Sequence, residues 1–358
     1  MNKPADSFAK RVVQWQAAHG RNHLPWQKTQ DPYKVWLSEI MLQQTQVATV
    51  LGYYARFLER FPTVGVLAQA PADEVMGLWS GLGYYTRARN LHACAQKVMS
   101  AHGGAFPEKA EALAALPGIG RSTAGAIAAF CFSERVPILD ANVRRVLTRW
   151  LGFDKDLASV KNERLLWELA ETLLPMTGLQ SSMPRYTQGL MDLGATVCVP
   201  KAPRCGQCPV HEGCAASTSG TPDQYPVKKR KLTRRSESWY LVVVRNEQDQ
   251  VWLQRRPVHG IWAGMHCVPV FEDEDSRGAF IANLALDTSV AEKTVPPFLH
   301  VLTHRDLYLH TILINGVTAS RLCSEGDWFG PEQWHAVGLP APIRKLLDAS
   351  QASLWPVV

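Results

Sequence analysis

Residues 116–127, LPGIGRSTAGAI, place a Pro-Gly-Ile-Gly turn between two stretches with helical periodicity. Glycines let the backbone turn sharply with its amide groups exposed, and the helix that follows begins with the positive end of its dipole. The glycines alone favour an ordinary helix–helix turn, and the cation beside the turn keeps open the alternative of an anion site that suits a nucleic-acid phosphate. Such a site would detect backbone position and not base sequence. The residues expected to contact the phosphate are Gly118, Gly120, Arg121 and Ser122.

Helical periodicity continues along most of residues 1–200 on both sides of this turn. In residues 46–61, for example, apolar side chains recur every three or four positions, which places them on one face of a helix. Prolines separate the helical segments at Pro32, Pro62, Pro71, Pro107, Pro117 and Pro137. These patterns predict an all-α first domain.

The chain of 358 residues is longer than one average domain, and its composition, 46% hydrophobic and 20% charged, is ordinary for a globular protein. This composition excludes a disordered chain and a collagen-like repeat. A polar stretch that ends in KKRKLTRR at 228–235 predicts a basic linker over residues 221–236. Residues 237–358 then alternate strand-like and helix-like segments, beginning with a hairpin that turns at 246–250, so we expect an α+β domain there.

Charge and apolar patterning restrict the location of the protein. The formal net charge of +6 is compatible with a polyanionic partner, although many cytosolic proteins are equally basic. No apolar run approaches the roughly 18 to 20 residues that cross a bilayer. Residues 1–20 also lack the uninterrupted apolar stretch of a signal peptide. We therefore expect no membrane contact and a cytoplasmic protein, associated with the nucleoid if the source is bacterial.

Four of the eight cysteines are concentrated in the stretch 198–214 with the spacing C-x6-C-x2-C-x5-C. A chain of this length does not need disulfides for stability, so these cysteines require another explanation. A short loop with four thiolates can hold an iron–sulfur cluster, and zinc is the competing metal. Structural zinc sites usually draw two close pairs from separate knuckles, whereas this loop has one close pair and two outliers. The candidate ligands are Cys198, Cys205, Cys208 and Cys214.

The other cysteines are scattered along the chain and are given no role. We expect them to be small buried apolar residues. They are Cys94, Cys131, Cys267 and Cys323.

Two acidic residues stand in separate motifs. Glu39 lies among apolar residues of a helical stretch, where a lone glutamate is usually a solvated surface residue. Partial burial would instead raise its pKa and keep a proton available near neutral pH. Asp140 follows an apolar stretch and precedes a helix, so it can serve as a helix N-cap that stays ionised. One protonated and one charged carboxyl group is the pairing that glycosidic bond cleavage requires.

Seven motifs, spread over nearly the whole chain, resemble those of the MutY-type adenine DNA glycosylases, a family in the endonuclease III superfamily with a helix–hairpin–helix. Six of them are LPWQ (24–27), SEIMLQQTQV (38–47), GLGYYTRARNL (81–91), LPGIGRSTAGAI (116–127), ILDANVRRVL (138–147) and GIWAGMHCVP (260–269), and the seventh is the cysteine spacing. The resemblance implies a glycosylase that removes adenine mispaired with 8-oxoguanine or guanine in double-stranded DNA during base excision repair. With the cysteine spacing it also favours a [4Fe–4S] cluster over zinc.

The resemblance assigns roles to the residues that match the family's motifs. Glu39 is implied to protonate adenine at N7, Asp140 to stabilise the oxocarbenium-like sugar, and Asn142 to assist beside that sugar. Flipping a base from the stack costs a few kcal/mol, which wedge residues help to supply. The implied wedges are Gln44 and, beside the oxidised guanine, Tyr84. The adenine pocket is implied to include Leu24, Trp26 and Gln188.

Ser122 departs from the superfamily members that also cut the DNA strand. Those members have a lysine at this position in the hairpin, whose amine forms a Schiff base with the abasic sugar. Serine has no amine. We therefore expect a monofunctional glycosylase with weak or absent β-lyase activity.

Residues 237–358 resemble the Nudix-like domain that recognises 8-oxoguanine. The metal-binding helix motif of working Nudix hydrolases is not found in this stretch, so pyrophosphatase activity is not expected. The family probes the lesion with a Phe-Ser-His-type loop, whose best match here is Leu302, Thr303 and His304. The hydroxyl group and the histidine are retained, but the aromatic residue is not.

The expected architecture is therefore multidomain. An all-α catalytic domain over 1–220 consists of a six-helix module (27–134) with the hairpin and an iron–sulfur module (1–26 and 135–220), and the Nudix-like domain follows the linker. We expect a monomer. Two other functions stay open at this point, namely a pyrimidine-lesion glycosylase of the same superfamily and a non-catalytic iron–sulfur DNA-binding protein.

Overall fold

The structure is a computed structural model that describes residues 3–227, 234–284, 291–318, 322 and 325–351. Most of the basic stretch in the expected linker, residues 228–233, and Cys323 lie outside the described residues. The chain divides into two compact units, one formed by residues 1–69 and 90–231 and the other by residues 70–89 and 232–358. Within the described ranges, no helix combines the length and the apolar character needed to cross a membrane.

Helices account for the regular structure of residues 3–227 apart from short 3₁₀ turns. In chain order they are α1 (Lys3–His19), α2 (Pro32–Leu42), α3 (Val47–Arg60), α4 (Val64–Gln69), α5 (Ala72–Trp79), α6 (Thr86–His102), α7 (Ala110–Ala114), α8 (Arg121–Phe132), α9 (Ala141–Leu151), α10 (Val160–Thr172), α11 (Leu179–Thr196) and α12 (Ala215–Thr218). The expected all-α character of this part of the chain is confirmed.

The core of the first unit forms where α11 packs against α1, α8 and α9. Helix α9 contributes Val143, Val146 and Leu147, all buried, which are spaced by three and four positions as its amphipathic sequence predicts. Helix α8 also packs against α2. This packing brings the helix that follows the 116–120 turn next to the helix that carries Glu39.

The second unit is built on a mixed β-sheet. Its strands are β1 (Arg235–Asn246), β2 (Val251–Arg255), β3 (His266–Cys267), β4 (Val270–Phe271), β5 (Ala291–Val301), β6 (Arg305–Val317) and β7 (Gly326–Phe329). The main path runs β3-β2-β1-β6-β5, with β4 paired to β1 and β7 paired to β2. Strands β1 and β6 are parallel, and the other pairs are antiparallel. The helices after β1 are α13 (Glu274–Asn283), α14 (Pro331–Ala336) and α15 (Ala341–Gln351).

The expected hairpin and α+β character are both confirmed. Strand β1 ends at Asn246, and its backbone N–H donates to the carbonyl of Gln250 across the turn, at 3.0 Å. Residues 241–244 of β1 are buried without alternation, because this strand lies in the middle of the sheet.

Residues 70–89 belong to the same compact unit as the C-terminal residues. Gly77 of α5 approaches α14 so closely that a Cβ atom there would lie 2.1 Å from the carbonyl oxygen of Ala336. Ser80 and Tyr85 donate hydrogen bonds to the carbonyl of Leu339, at 3.1 and 2.9 Å. The division into modules that the resemblance implies stays a prediction.

Candidate active site

Glu39 lies in α2, a helix that is buried around most of its circumference. Asp31 caps its N-terminus by accepting a hydrogen bond from the backbone N–H of Tyr33, at 2.9 Å. Residues 35–38 and Ile40 are buried, so the half-buried Glu39 side chain has apolar neighbours on both sides along the helix. Its accessible side faces a cavity of about 320 Å³, which lies within the roughly 300–1,000 Å³ of small-molecule sites.

Burial raises the pKa of Glu39 to about 8, and the negative charge of Asp140 is the second cause. A carboxyl group with this pKa is mostly protonated at neutral pH. Glu39 therefore has the protonation state that a general acid needs.

Asp140 caps helix α9, as the sequence predicts. Its Oδ1 accepts a hydrogen bond from the backbone N–H of Val143, at 2.7 Å. The preceding peptide is held on both sides, since the N–H of Leu139 donates to Ser122 Oγ at 3.1 Å and its carbonyl accepts from Arg144 Nε at 2.9 Å. The position of Asp140 thus depends on helix α8 as well as on its own helix.

The sequence predicts that the helix N-terminus keeps Asp140 ionised. In the structure, burial opposes this effect. Burial raises the pKa of Asp140, while the backbone N–H groups of Val143 and Asn142 and the cations Arg145 and Arg144 oppose that rise. The net shift is upward.

The two carboxyl groups still differ in the way that their expected roles require. Both effects that shift Glu39 raise its pKa, whereas Asp140 has hydrogen-bond donors and cations that favour its charged form. Burial raises the pKa of both groups, and the negative charge of Asp140 adds to the rise at Glu39.

Asn142 occupies the first turn of α9. Its Oδ1 accepts a hydrogen bond from Arg145 Nη2, at 2.8 Å. Gly194 of α11 lies so close that a Cβ atom there would approach the Cβ of Asn142 to 2.6 Å. The half-buried Asn142 is thus fixed by one hydrogen bond and by close packing.

The cavity at Glu39 brings together most of the residues expected in the adenine pocket. Trp26 and Gln188 line it together with Glu39, whereas Leu24 is buried in the core and does not line it. Gln188 Nε2 donates to Asp192 Oδ1 at 2.9 Å, which fixes the orientation of its amide group.

Sequence reasoning missed Gln27 as a wall residue of this cavity. Both polar atoms of its side-chain amide are buried, and neither has a hydrogen-bond partner among the described residues. A buried amide without partners is costly, which marks a position where a bound molecule can supply them. The signal was present, because Gln27 ends the quoted LPWQ motif.

The hairpin residues have the exposure and backbone conformation that a phosphate site requires. Gly118 has a φ of 73°, and a Cβ atom there would lie 2.6 Å from the Cβ of Asn90, so only glycine fits. Gly120 is the N-cap of α8, and Arg121 begins the helix. Gly118, Gly120 and Arg121 are exposed, and the Arg121 guanidinium stacks 4.0 Å above the ring of Trp167.

The two expected wedge residues share an unusual backbone conformation. Gln44 has a φ of 56° and Tyr84 a φ of 50°, the left-handed region that residues other than glycine seldom adopt. Both side chains are exposed. Strained positions of this kind concentrate at functional sites.

A second cavity, of about 350 Å³ in the C-terminal unit, is lined by Tyr84, Thr303, Trp262 and His300. The hydroxyl groups of Tyr84 and Thr303 are within hydrogen-bond distance, at 3.1 Å. His304 is exposed and does not line this cavity, whereas His300, which sequence reasoning missed, does. Burial lowers the pKa of His300, and the charge of Lys345 lowers it further.

The four clustered cysteines line one cavity in the first unit with otherwise mostly apolar walls, at the C-terminal end of α9. Arg149 Nη1 donates to Cys198 Sγ at 3.4 Å, and Cys214 Sγ donates to the Arg149 carbonyl at 3.6 Å. Burial raises the pKa of Cys208 to about 12, with the neighbouring thiolates of the other three cysteines adding to the rise.

The donor set and its arrangement fit a polynuclear centre. Within the described part of the chain, no three His, Cys, Asp or Glu side chains come close enough to hold one metal ion. Four soft thiol donors that line one cavity fit an iron–sulfur cluster.

Family comparisons agree with this fold. Residues 37–172 match the HhH-GPD superfamily of base excision DNA repair proteins, and residues 240–349 match the NUDIX domain. The first match contains Glu39, the hairpin and Asp140. The fold and the site thus define a helix–hairpin–helix DNA glycosylase with a Nudix-like C-terminal domain.

Full-length relatives specify the family. The adenine DNA glycosylase of Buchnera aphidicola subsp. Schizaphis graminum is 35% identical over 345 residues, 95% of this chain and 98% of the relative. The human adenine DNA glycosylase is 31% identical over 409 residues, 96% of this chain and 74% of the relative. The chain belongs to the adenine DNA glycosylase family, which hydrolyses N-glycosyl bonds in base excision repair, so the predicted family and enzyme class are confirmed.

Among solved structures, a thermostable thymine-DNA glycosylase is 28% identical to this chain, with a TM-score of 0.53. The match covers 61% of this chain and 98% of that structure. This similarity supports the glycosylase fold. The full-length relatives favour adenine over a pyrimidine as the excised base.

Proposed function

We propose that this chain removes adenine from pairs with 8-oxoguanine, or with guanine, in double-stranded DNA. The observation that carries the proposal is the cavity at Glu39, whose carboxyl group has its pKa raised to about 8. A general acid works best when its pKa lies near the operating pH. Adenine is a poor leaving group until its ring is protonated, so a protonated acid in a cavity of suitable size is what the reaction requires.

In this proposal Glu39 donates its proton to N7 of adenine. Asp140, whose charged form is favoured by backbone N–H donors and two arginines, stabilises the positive charge that develops on the sugar when the bond breaks. Asn142, fixed by Arg145 and Gly194, assists beside that sugar.

The flipped adenine lies in the cavity lined by Trp26 and Gln188, and Leu24 stays an expected pocket residue although it is buried in the core. Gln44 and Tyr84 act as wedges that offset part of the cost of unstacking, a few kcal/mol. Their exposure and left-handed backbone support these roles.

The partner base is recognised in the C-terminal unit. Thr303 supports this assignment, because its hydroxyl group contacts Tyr84 at the cavity of about 350 Å³. His304 stays part of the proposed recognition loop, although His300 is the histidine that lines the cavity.

The helix–hairpin–helix binds a DNA phosphate through Gly118, Gly120 and Arg121. Ser122 has no amine to attack the abasic sugar, and its hydroxyl group already accepts the hydrogen bond from Leu139. The enzyme is therefore monofunctional, and borohydride should trap little covalent complex with DNA.

Cys198, Cys205, Cys208 and Cys214 hold a [4Fe–4S] cluster. A cluster held by these four residues would cross-link the 198–214 loop, which carries the exposed cations Lys201 and Arg204. We further propose that the enzyme acts as a monomer in the cytoplasm.

The test is base release under single-turnover conditions from duplexes that contain A:8-oxoG, A:G, A:T or T:G pairs. The proposal predicts adenine release from the first two and little from A:T. Release of thymine from T:G without release of adenine from A:8-oxoG would contradict it.

A further inference from the structure

Trp150, a wall residue of the cavity of the four cysteines, has a buried indole N–H group without a hydrogen-bond partner among the described residues. Trp150 is the penultimate residue of α9. Leaving a buried donor unpaired costs about 1–3 kcal/mol, so this N–H requires an acceptor.

One ring contact and the nearby backbone of Gly213 define the surroundings of the Trp150 indole. The ring of Phe8 packs against it with ring centroids 4.5 Å apart. A Cβ atom built at Gly213, the residue before Cys214, would lie 3.9 Å from Nε1. The N–H group therefore lies beside the segment that carries a proposed cluster ligand.

Within the described part of the chain, Trp36 has the same unpaired indole N–H group as Trp150 but lies in different surroundings. Trp36 Nε1 is also buried without a hydrogen-bond partner among the described residues. It packs against Phe106 and Tyr33, and it does not line the cysteine cavity. Trp150 differs because the wall it shares with four thiols can supply a sulfur acceptor.

We propose that the Trp150 indole N–H donates a hydrogen bond to a sulfide sulfur atom of the bound cluster. This inference rests on the proposed [4Fe–4S] cofactor. Reduction adds negative charge, which a hydrogen bond to sulfur stabilises, so the donor raises the reduction potential. Arg149 Nη1 already donates to Cys198 Sγ. The Trp150 N–H group would be a second donor at the same cavity.

The test replaces Trp150 in the full-length, cluster-loaded protein by Phe and, in a second variant, by 3-benzothienylalanine. The second side chain keeps the shape of indole but has sulfur in place of N–H, so packing against Phe8 is preserved. Iron and sulfide content are measured first, followed by the midpoint potential by voltammetry. Both variants should shift the potential to lower values, whereas Trp36→Phe should leave it unchanged.

The outcomes separate this inference from the cofactor proposal. Wild-type protein purified anaerobically without iron and sulfide would contradict the cofactor itself. A fully loaded benzothienylalanine variant with the wild-type potential would overturn the hydrogen bond, even if Trp150→Phe fails to fold. Loss of an exchangeable-proton coupling to the paramagnetic cluster in that variant would support the hydrogen bond independently.

Discussion

The carboxyl group of Glu39 must lose contact with water to keep its proton, yet it must face the cavity to deliver that proton. Helix α2 meets both requirements, because buried residues flank Glu39 along the helix while the side chain opens onto the cavity. A position of this kind favours catalysis at the expense of stability.

The first prediction is a pH-dependent gain of stability in Glu39→Gln. The folded-state pKa of Glu39 is raised from 4.5 to about 8, so the native state binds the proton more tightly than the unfolded chain. Wild-type stability relative to the variant is therefore greatest below about pH 4.5 and is lost as pH rises toward about 8. The difference in Tm, variant minus wild type, should increase over this range in calorimetry. Glu59→Gln at an exposed position of α3 is the control, and an equal increase there would contradict the explanation.

At the residue scale, the sequence selects candidate residues but does not show their surroundings. Periodicity and motif matches selected Glu39 and Asp140, but neither can measure burial, and burial is what raises the pKa of both. Tertiary packing decides that Gln27 lines the first cavity. It also decides that His300, and not His304, lines the second. Local sequence contains little information about such packing.

At the scale of elements, a hydrogen bond connects the start of α8, after the hairpin, to the residue before the N-cap of α9. Ser122 in the first turn of α8 accepts the N–H of Leu139, and this contact fixes the residue before Asp140. The sequence predicted both helices and the cap, but not the hydrogen bond that connects them. That bond joins residues that are 17 positions apart.

The second prediction concerns this bond. Ser122→Ala leaves the N–H of Leu139 without its acceptor and should slow adenine release about tenfold, since a lost buried hydrogen bond costs on the order of 1–3 kcal/mol. Single-turnover rates and DNA affinity are measured separately. Ser122→Thr retains the acceptor and should restore the rate. An affinity loss with an unchanged rate would show that Ser122 acts as a phosphate contact and not as a positioning residue.

The third prediction compares two glycines. Gly118→Ala should lower the free energy of unfolding by about 1–3 kcal/mol, because φ is positive and Asn90 occupies the space of the added Cβ. Gly52 lies at a solvent-exposed position in the middle of α3, with no atom near an added Cβ. Gly52→Ala should therefore raise the free energy of unfolding by about 0.5–1 kcal/mol. Denaturant titration of both variants measures the difference. Equal effects of the same sign would contradict the assigned backbone role of Gly118.

At the scale of the whole molecule, the C-terminal unit includes a segment that precedes it by about 150 residues in the chain, residues 70–89. The all-α and α+β classes were predictable because long periodic segments dominate each part. The grouping of residues 70–89 with the C-terminal unit was not predictable from the sequence. A glycine inside a helix usually lowers the confidence of a helix prediction, whereas Gly77 permits close packing on Ala336.

The fourth prediction follows from that grouping. A chain that ends at residue 227 lacks the partners of residues 70–89, including the carbonyl of Leu339 that accepts from Ser80 and Tyr85. Limited proteolysis should cut the truncated chain within residues 70–89 and leave that segment intact in the full-length protein. Equal resistance in both proteins would contradict the assignment of this segment to the C-terminal unit.

The most direct test of the central claim is the pH dependence of single-turnover adenine release from an A:8-oxoG duplex, measured from about pH 6 to about pH 10. Glu39 must carry its proton to act, so the wild-type rate should fall as pH rises through about 8, and Glu39→Gln should lose about 10²-fold or more at neutral pH while still binding the duplex. A wild-type rate that is constant through this range, or a Glu39→Gln variant that releases adenine at the wild-type rate, would contradict the account.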